Sequence, residues 1–99
     1  MTDLDPIVHG PLRLAVLSML STVDRAEFRY LRDKTQSTDG NIGAQLLKLE
    51  QAGYIAVEKK FVQRKPVSSY RITRTGRNAL AKYVRDLKTL LGNNLDGQR

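Results

Sequence analysis

One stretch of this 99-residue sequence, Ser37–Ile55, carries the signals of a complete helix and constrains the fold more than any other. Ser37 and Thr38 are favoured N-cap residues, because their hydroxyl oxygens accept hydrogen bonds from the unpaired N–H groups of a first turn. Gly53 can adopt the left-handed backbone conformation with which many helices end. We therefore predict a helix over residues 38–52.

The predicted helix has an apolar face and a polar face. Ile42, Leu46 and Leu49 are spaced i, i+4, i+7, so they share one side of the helix and should be buried. No carboxylate lies at the centre of the opposite face, which can therefore come close to a polyanion. That face contains Gly40, Asn41, Ala44, Lys48 and Gln51, with Gln45 at its edge.

The charge of the chain is unevenly distributed. Its net charge is +7 and its isoelectric point is about 10.1. Residues 59–88 contain ten Lys or Arg and a single acid, Asp86, whereas residues 1–58 are nearly balanced. This separation indicates a polyanionic partner that is contacted through one surface. The alternative is a solvated surface that is merely basic.

Several classes of function are disfavoured by the residues themselves. The chain has no cysteine, which excludes disulfides, thiolate metal sites and cysteine nucleophiles. Its one histidine, His9, lacks the spacing of a metal motif, so we expect a structural role for it. With no catalytic cluster and no glycine-rich phosphate loop, we predict that the protein is not an enzyme and uses no metal or cofactor. The acidic, polar N-terminus is unlike a secretory signal, and no apolar run has the length of a membrane span.

The rest of the chain predicts three more helices and a hairpin. In the first helix Arg13 is the polar exception and is expected to face solvent. A polar hairpin tip is predicted at residues 63–66, where Pro66 marks a turn or a strand edge. The predicted elements are a helix from Pro11 to Leu20, a short strand at Arg25–Ala26, a helix at Glu27–Lys34, strands at Tyr54–Val62 and Val67–Thr73, and a helix at 74–91 capped by Thr73 or Thr75.

The last helix carries an apolar stripe. Leu80, Val84, Leu87 and Leu91 repeat at intervals of four, three and four residues. The stripe either covers the core of its own subunit or is shared with a partner, and we favour sharing because so short a chain has a thin core. Gly92 is expected to end the helix and residues 92–99 to be disordered. The predicted dimer contacts are Tyr83, Leu87, Leu90 and Leu91.

The order of elements predicts how they assemble. A two-stranded hairpin is marginally stable alone, so it should pack against the helices with its tip beside the exposed face of residues 38–52. One helix then fits the major groove of DNA, and the hairpin tip reaches the neighbouring backbone or minor groove. The predicted fold is mainly α with a small β-hairpin (α+β), a winged helix-turn-helix. It forms one domain of residues 1–99, with a core at about 10–73 and a C-terminal dimerisation helix.

Four segments of the chain resemble winged-helix transcription regulators of the MarR/ArsR type, over about residues 5–91. They are LDPIVHGPLRLAVL, AEFRYLRD, TDGNIGAQLLKLEQAGYI and YRITRTGRNAL. The resemblance implies a homodimer, paired through terminal helices, that binds double-stranded DNA at a pseudo-palindromic operator. From the polar helix face beside the basic hairpin we expect a regulator that acts as a repressor rather than as an activator. The acidic N-terminus and the short apolar runs predict a cytoplasmic protein, which would be associated with the nucleoid when it is bound to DNA. No residue pattern indicates a small-molecule effector.

The resemblance also assigns residues to the two contact regions. Thr38 would bond a phosphate, Asn41 and Gln45 would make bidentate contacts to adenine, and Lys48 would meet a phosphate. The recognition-helix residues are Thr38, Gly40, Asn41, Ala44, Gln45 and Lys48. The wing residues are Lys59, Lys60, Gln63, Arg64 and Lys65.

The middle of the recognition helix departs from the family pattern. Relatives often carry basic or hydroxyl side chains where this chain has Gly43, Ala44 and Leu47, so base recognition would rest on few residues. We expect Leu47 to pack on the hairpin or a neighbouring element. The departure leaves a rival function open, a winged helix that docks a protein or RNA without reading a duplex. The basic hairpin favours nucleic acid, and A-form RNA offers a poor major groove for a helix.

Overall fold

The first helix lies at the centre of the structure and organises the other elements around it. The computed structural model describes residues 3–96. Helix α1 packs against two further helices of the N-terminal half, against the last helix and against the sheet. The elements are α1 (Pro11–Leu20), β1 (Ala26–Glu27), α2 (Phe28–Thr35), α3 (Asp39–Gln51), β2 (Ile55–Val62), β3 (Lys65–Ile72) and α4 (Arg74–Asp96).

The core combines the apolar faces of these elements and confirms the predicted burial of α3. Ile42 and Leu49 are fully buried and Leu46 almost so. They meet α1, whose inner residues are equally inaccessible, as the apolar sequence of that helix predicts. The other buried residues of the core are Val8, Val16, Leu17, Leu20, Ala26, Leu31, Ile55, Ile72 and Tyr83.

Three antiparallel strands form one sheet, in the order β1-β3-β2. The short strand predicted at Arg25–Ala26 is present one residue later, and it pairs Ala26 with Tyr70. Strands β2 and β3 pair along their whole length, from Ile55 opposite Ile72 to Val62 opposite Lys65. The fold is therefore the predicted α+β winged helix, with one more paired strand than a hairpin alone.

The turn of the hairpin is tighter than predicted. Gln63 and Arg64 alone connect the strands, with φ angles of 53° and 67°. Two successive positive φ angles are typical of the type I′ turn, whose twist matches that of the flanking strands. The predicted tip at 63–66 is therefore wrong in extent, because Lys65 and Pro66 already belong to β3.

Helix α4 is longer than predicted. It begins after Thr73, whose Oγ1 accepts a hydrogen bond of 3.0 Å from the backbone N–H of Gly76. It continues through Gly92 to Asp96, so the predicted stop and the disordered tail are wrong for residues 92–96. Residues 97–99 of that predicted tail lie outside the described residues. A glycine costs a helix only about 1 kcal/mol, which does not end it where no turn requires another conformation.

Two glycines shape the junction between α3, β2 and α4. Gly53 has a φ of 79° and ends α3, as predicted. Gly76 is buried, and a Cβ atom there would overlap the backbone carbonyl of Tyr54. The first turn of α4 can approach β2 only because Gly76 has no side chain.

The residues before α1 form hydrogen bonds with two tyrosines far along the chain, Tyr54 and Tyr83. Asp5 Oδ2 accepts a hydrogen bond of 2.5 Å from Tyr54 Oη, and Asp5 Oδ1 accepts from the backbone N–H of Ile7. Burial raises the pKa of the Asp5 carboxyl, but these hydrogen bonds outweigh that effect and leave the pKa below its usual value. The bond to Asp5 raises the pKa of Tyr54 to about 12. His9 Nδ1 lies 2.8 Å from Tyr83 Oη, which fits the structural role expected for this histidine.

Within residues 3–96, no helix has the length and apolar character needed to cross a membrane. The same residues contain no group of three or more His, Cys, Asp or Glu side chains placed to hold a metal ion.

Candidate nucleic-acid interface

One face of α3 is open to solvent along the length of the helix. Asn41, Ala44 and Lys48 are exposed, and Gln45 is half-buried at the edge, as the sequence predicts. Leu47 is 52% exposed, so the packing expected for it on the hairpin does not cover it. The exposed face thus combines small, amide and apolar groups with a single positive charge.

The N-terminus of α3 is capped and its acidic residue is neutralised. Thr38 Oγ1 accepts a hydrogen bond of 3.1 Å from the N–H of Asn41, which leaves the hydroxyl proton free to donate. Asp39 Oδ1 lies 2.9 Å from Arg32 Nη1, and Arg32 Nε lies 2.9 Å from Asp33. The bond to Asp39, followed by that to Asp33, raises the pKa of Arg32. An anion approaching this end therefore meets a compensated carboxylate and the positive end of the helix dipole.

The two glycines of α3 have different surroundings. A Cβ atom added at Gly40 would have no neighbour within 4 Å, so nothing in the chain itself requires a glycine there. At Gly43 the nearest atom would be Phe28 Cε2 at 4.0 Å, an ordinary contact. A glycine weakens a helix relative to alanine, by up to about 1 kcal/mol in the helix interior, and no contact of Gly40 offsets that cost.

Arg13 is the residue that the sequence reasoning missed. It was expected to face solvent, but it is half-buried and donates from Nε to Ile7 O at 2.6 Å and from Nη2 to Pro6 O at 3.3 Å. Its Nη1 donates to Gln45 Oε1 at 2.5 Å. Gln45 Nε2 in turn lies 3.3 Å from Asn41 Oδ1. A lone arginine in an otherwise apolar helix was the available signal, because such a charge needs partners when it is buried.

The wing, defined as residues 58–68, projects beside α3 with its basic side chains exposed. All five predicted wing residues are exposed: Lys59, Lys60, Gln63, Arg64 and Lys65. Lys60 Nζ lies 3.2 Å from Glu58, which also meets Arg25 at 3.1 Å. The hydrogen bond from Lys60 and the charge of Arg25 lower the pKa of Glu58. One of the four positive charges of the wing, that of Lys60, is thus partly compensated.

Two exposed apolar residues on the wing were not predicted. Phe61 is 77% exposed and Val62 is 49% exposed, and both lie next to the turn. A groove runs from Val62 to Asp39 at the N-terminal end of α3, and its walls include Arg29, Arg32 and Lys65. The wing and α3 therefore border the same concave surface.

The apolar stripe of α4 divides into a buried part and an exposed part. Tyr83 is only 4% exposed and belongs to the core of its own chain, so it has little surface to offer a partner, contrary to its predicted place in a dimer interface. Leu87 and Leu90 are half-buried. Val84 at 39% and Leu91 at 49% are the exposed apolar residues on the flank of the stripe.

The family model described as a winged helix DNA-binding domain matches residues 12–91. The chain belongs to this family. The predicted winged-helix DNA-binding family is confirmed.

Known proteins resemble the chain in sequence and in fold. An uncharacterised protein of Methanocaldococcus jannaschii is 31% identical over 87 residues, which cover 88% of this chain and 95% of that protein. The structure of a transcriptional regulator homologue from Pyrococcus horikoshii superposes with a TM-score of 0.81 at 24% identity, covering 88% of this chain and 86% of the other. An ArsR family transcriptional regulator superposes with a TM-score of 0.59 at 20% identity, covering 87% and 84%. The two structural likenesses establish the winged-helix fold.

Proposed function

We propose that the protein is a homodimeric, sequence-specific DNA-binding regulator of transcription that acts as a repressor. In this proposal α3 enters the major groove and the wing reaches the neighbouring backbone. The observation that carries it is the open face of α3, which has no carboxylate at its centre, beside a wing whose basic residues are all exposed. A dimer bound across an operator would repress by excluding polymerase from the same DNA.

The two contact regions contribute different parts of the binding free energy. Lys48 is the only basic residue of α3, whereas the wing carries Lys59, Lys60, Arg64 and Lys65. Contacts from such side chains to phosphates supply affinity and a steep dependence on salt. Contacts from α3 to base edges supply specificity. Thr38 and the first amides of α3 would bind a phosphate at the edge of the groove.

The exposed flank of α4 supports a dimer. Val84 and Leu91 lie on one side of a helix of 23 residues, which is about 34 Å long at 1.5 Å per residue. Pairing of this flank with its two-fold copy would bury both residues. Two-fold symmetry would place the two α3 helices about one DNA turn apart, roughly 34 Å, and would require a pseudo-palindromic operator.

DNA binding is tested by selecting bound sequences from random duplexes and then titrating the selected duplex against salt. Combined Arg64→Ala and Lys65→Ala should lower the affinity and reduce the slope of log K against log salt by about 2, since each phosphate contact contributes roughly 0.9. The matched control removes two exposed charges from α4, Lys82→Ala with Arg85→Ala, and should change the slope much less. An affinity that does not change with salt concentration, or an equal loss of affinity in the wing variant and the α4 control, would contradict the proposal.

The dimer is tested at Leu91, because this residue is exposed in the single chain and its replacement does not open the core. Leu91→Asp should shift the sedimentation coefficient to that of a monomer and weaken binding to a palindromic duplex. Thr89→Asp adds the same charge at an exposed position on the opposite side of α4 and should leave the dimer intact. Leu87→Asp should also weaken the dimer, although its half-buried side chain makes the result less direct.

A second candidate function is favoured by one observation, the exposure of Leu47 in the middle of α3. An apolar side chain there would suit a protein partner as well as a thymine methyl group. A winged helix that docks a protein or RNA would yield no enriched duplex in the selection experiment.

A further inference from the structure

The chemistry of Arg13 fixes the orientation of two amides on α3. A guanidinium group only donates hydrogen bonds, so the atom of Gln45 that lies 2.5 Å from Arg13 Nη1 is the carbonyl oxygen Oε1. The amide nitrogen of Gln45 therefore points the other way, towards Asn41. Because that nitrogen donates, the atom of Asn41 at 3.3 Å is its oxygen Oδ1. The acceptors of both amides are thus engaged within the protein.

Arg13 is held in this position by the chain around it. Its Nε and Nη2 donate to the carbonyl oxygens of Ile7 and Pro6, so the guanidinium is fixed on two of its edges. A Cβ atom at Gly10 would lie 2.6 Å from Arg13 Nη2 and 2.7 Å from Cζ, so the glycine leaves space for the group. The bond to Gln45 is charge-assisted, which makes it stronger than a bond between neutral groups.

Each amide oxygen already accepts one hydrogen bond and keeps one lone pair, whereas three amide N–H groups remain free, so this edge of α3 is richer in donors than in acceptors. One N–H of Gln45 and both N–H groups of Asn41 are not used by the hydrogen bonds of the described residues. A bidentate contact from an amide to adenine needs the amide oxygen to accept from N6 while the nitrogen donates to N7. Guanine instead offers two adjacent acceptors, O6 and N7. The donors left on Asn41 and Gln45 match guanine, whereas the sequence alone favoured adenine.

We propose that Arg13 is a specificity-determining positioning residue, which presents Asn41 and Gln45 as a donor edge and so selects guanine over adenine at the base pair they meet. The inference rests on the proposed function, since it requires α3 to lie in the major groove. Arg13 itself reaches this base only through Gln45. Arg13 lies on α1, outside the recognition helix, and is 32 positions before Gln45 in the chain.

The test begins with the duplex selected by the unchanged protein. The base pair in question is the one whose preference disappears in both Asn41→Ala and Gln45→Ala. At that position the unchanged protein should bind guanine about tenfold more tightly than adenine in competition, within the range of a good base contact. Arg13→Met keeps an unbranched apolar stem but removes the guanidinium donors, so Gln45 can turn and the ratio should fall to about 1 or reverse. Urea unfolding of the variant checks that it folds.

A second variant tests the same point without altering Arg13. Gln45→Glu keeps an acceptor for the guanidinium but replaces the free N–H by an oxygen. The ratio of guanine to adenine binding should therefore fall about tenfold or more, which abolishes the preference for guanine. The readout in every case is the ratio between two duplexes, which a general loss of stability would not change.

The possible failures are distinguishable. A preference for adenine in the unchanged protein, or a ratio that Arg13→Met and Gln45→Glu both leave unaltered, would overturn this inference and leave the proposed function intact. Absence of any salt-dependent binding to duplexes would overturn the proposed function itself.

Discussion

Helix α3 is held against the core along one whole face, whereas the wing has little support beyond Val57. Three apolar residues of α3 are buried, and its edge is fixed further by the bond between Arg13 and Gln45. In contrast, every residue of β2 from Glu58 to Val62 is exposed. The two regions border one groove but differ in how firmly their side chains are placed.

This difference in support fits the two roles proposed for these regions, recognition of bases by α3 and binding of phosphates by the wing. Hydrogen bonds to base edges depend on distance and angle, so the groups that make them need a rigid support. Attraction between a cation and a phosphate tolerates movement, because it falls off gradually with distance. If the two regions bind DNA as proposed, a weakly supported wing is sufficient for affinity, and the firmly held helix is the part suited to specificity.

The largest effect is expected where the two regions join. Gly76→Ala would place a Cβ atom against the carbonyl oxygen of Tyr54, between the end of α3 and the start of the wing. Backbone cannot yield as a flexible side chain does, so the free energy of unfolding should fall by about 2–3 kcal/mol. Urea denaturation measures the loss.

Gly92→Ala is the matched control in the same helix. A Cβ atom there would have no neighbour within 4 Å, so stability should stay the same or rise by up to about 1 kcal/mol. Equal behaviour of the two variants would mean that α4 can move away from β2, and that α3 and the wing are joined less tightly than described.

An intermediate effect is expected at the N-terminal end of α3. Gly40→Ala should raise the free energy of unfolding by about 0.5–1 kcal/mol, because alanine favours the helix and the added methyl group meets no neighbour. The same methyl group should weaken binding to the selected duplex if the DNA backbone passes close to Gly40. Gly43→Ala is the control, since it should give a similar gain in stability without the loss of affinity. Unchanged DNA affinity in Gly40→Ala would refute the close approach.

The smallest effect on stability is expected on the wing. Phe61→Ser replaces a side chain that is 77% exposed, so the free energy of unfolding should change by no more than about 0.5 kcal/mol. If the ring contacts the DNA backbone beside the basic residues, affinity for the duplex should fall severalfold. Fluorescence anisotropy with a labelled duplex measures this change. If Phe61→Ser binds the duplex as tightly as the unchanged protein, the ring makes no contact with DNA and the wing binds only through its charged side chains.

The elements that sequence reasoning predicted well are those encoded locally. Helix α3 begins after Thr38 and is followed by Gly53 because a cap, a regular apolar spacing and a glycine all lie within the helix itself or next to it. The cap of α4 at Thr73 and the wing strands follow from equally local signals. A regular apolar spacing within one helix predicts which face is buried, even when the elements that pack against that face are not known.

The features that were missed depend on residues far apart in the chain. Arg13 and Gln45 are 32 positions apart, and His9 and Tyr83 are 74 apart, so no spacing pattern connects them. The tight turn was missed for a different reason. Gln63 and Arg64 are unusual choices for two positive φ angles, and the pairing of β2 with β3 imposes them against local preference.

The segment before α1 has a consequence for anyone who trims or tags this protein. The family match begins at residue 12, yet Val8 is completely inaccessible to solvent and Asp5 and His9 are bonded to Tyr54 and Tyr83. A protein truncated at the start of the family match would lack Val8, which leaves a cavity in the core, and the hydroxyl groups of Tyr54 and Tyr83 would lose these hydrogen-bond partners. Digestion with a protease should accordingly spare residues 5–9 in the folded protein, and a purification handle needs a spacer ahead of Asp5.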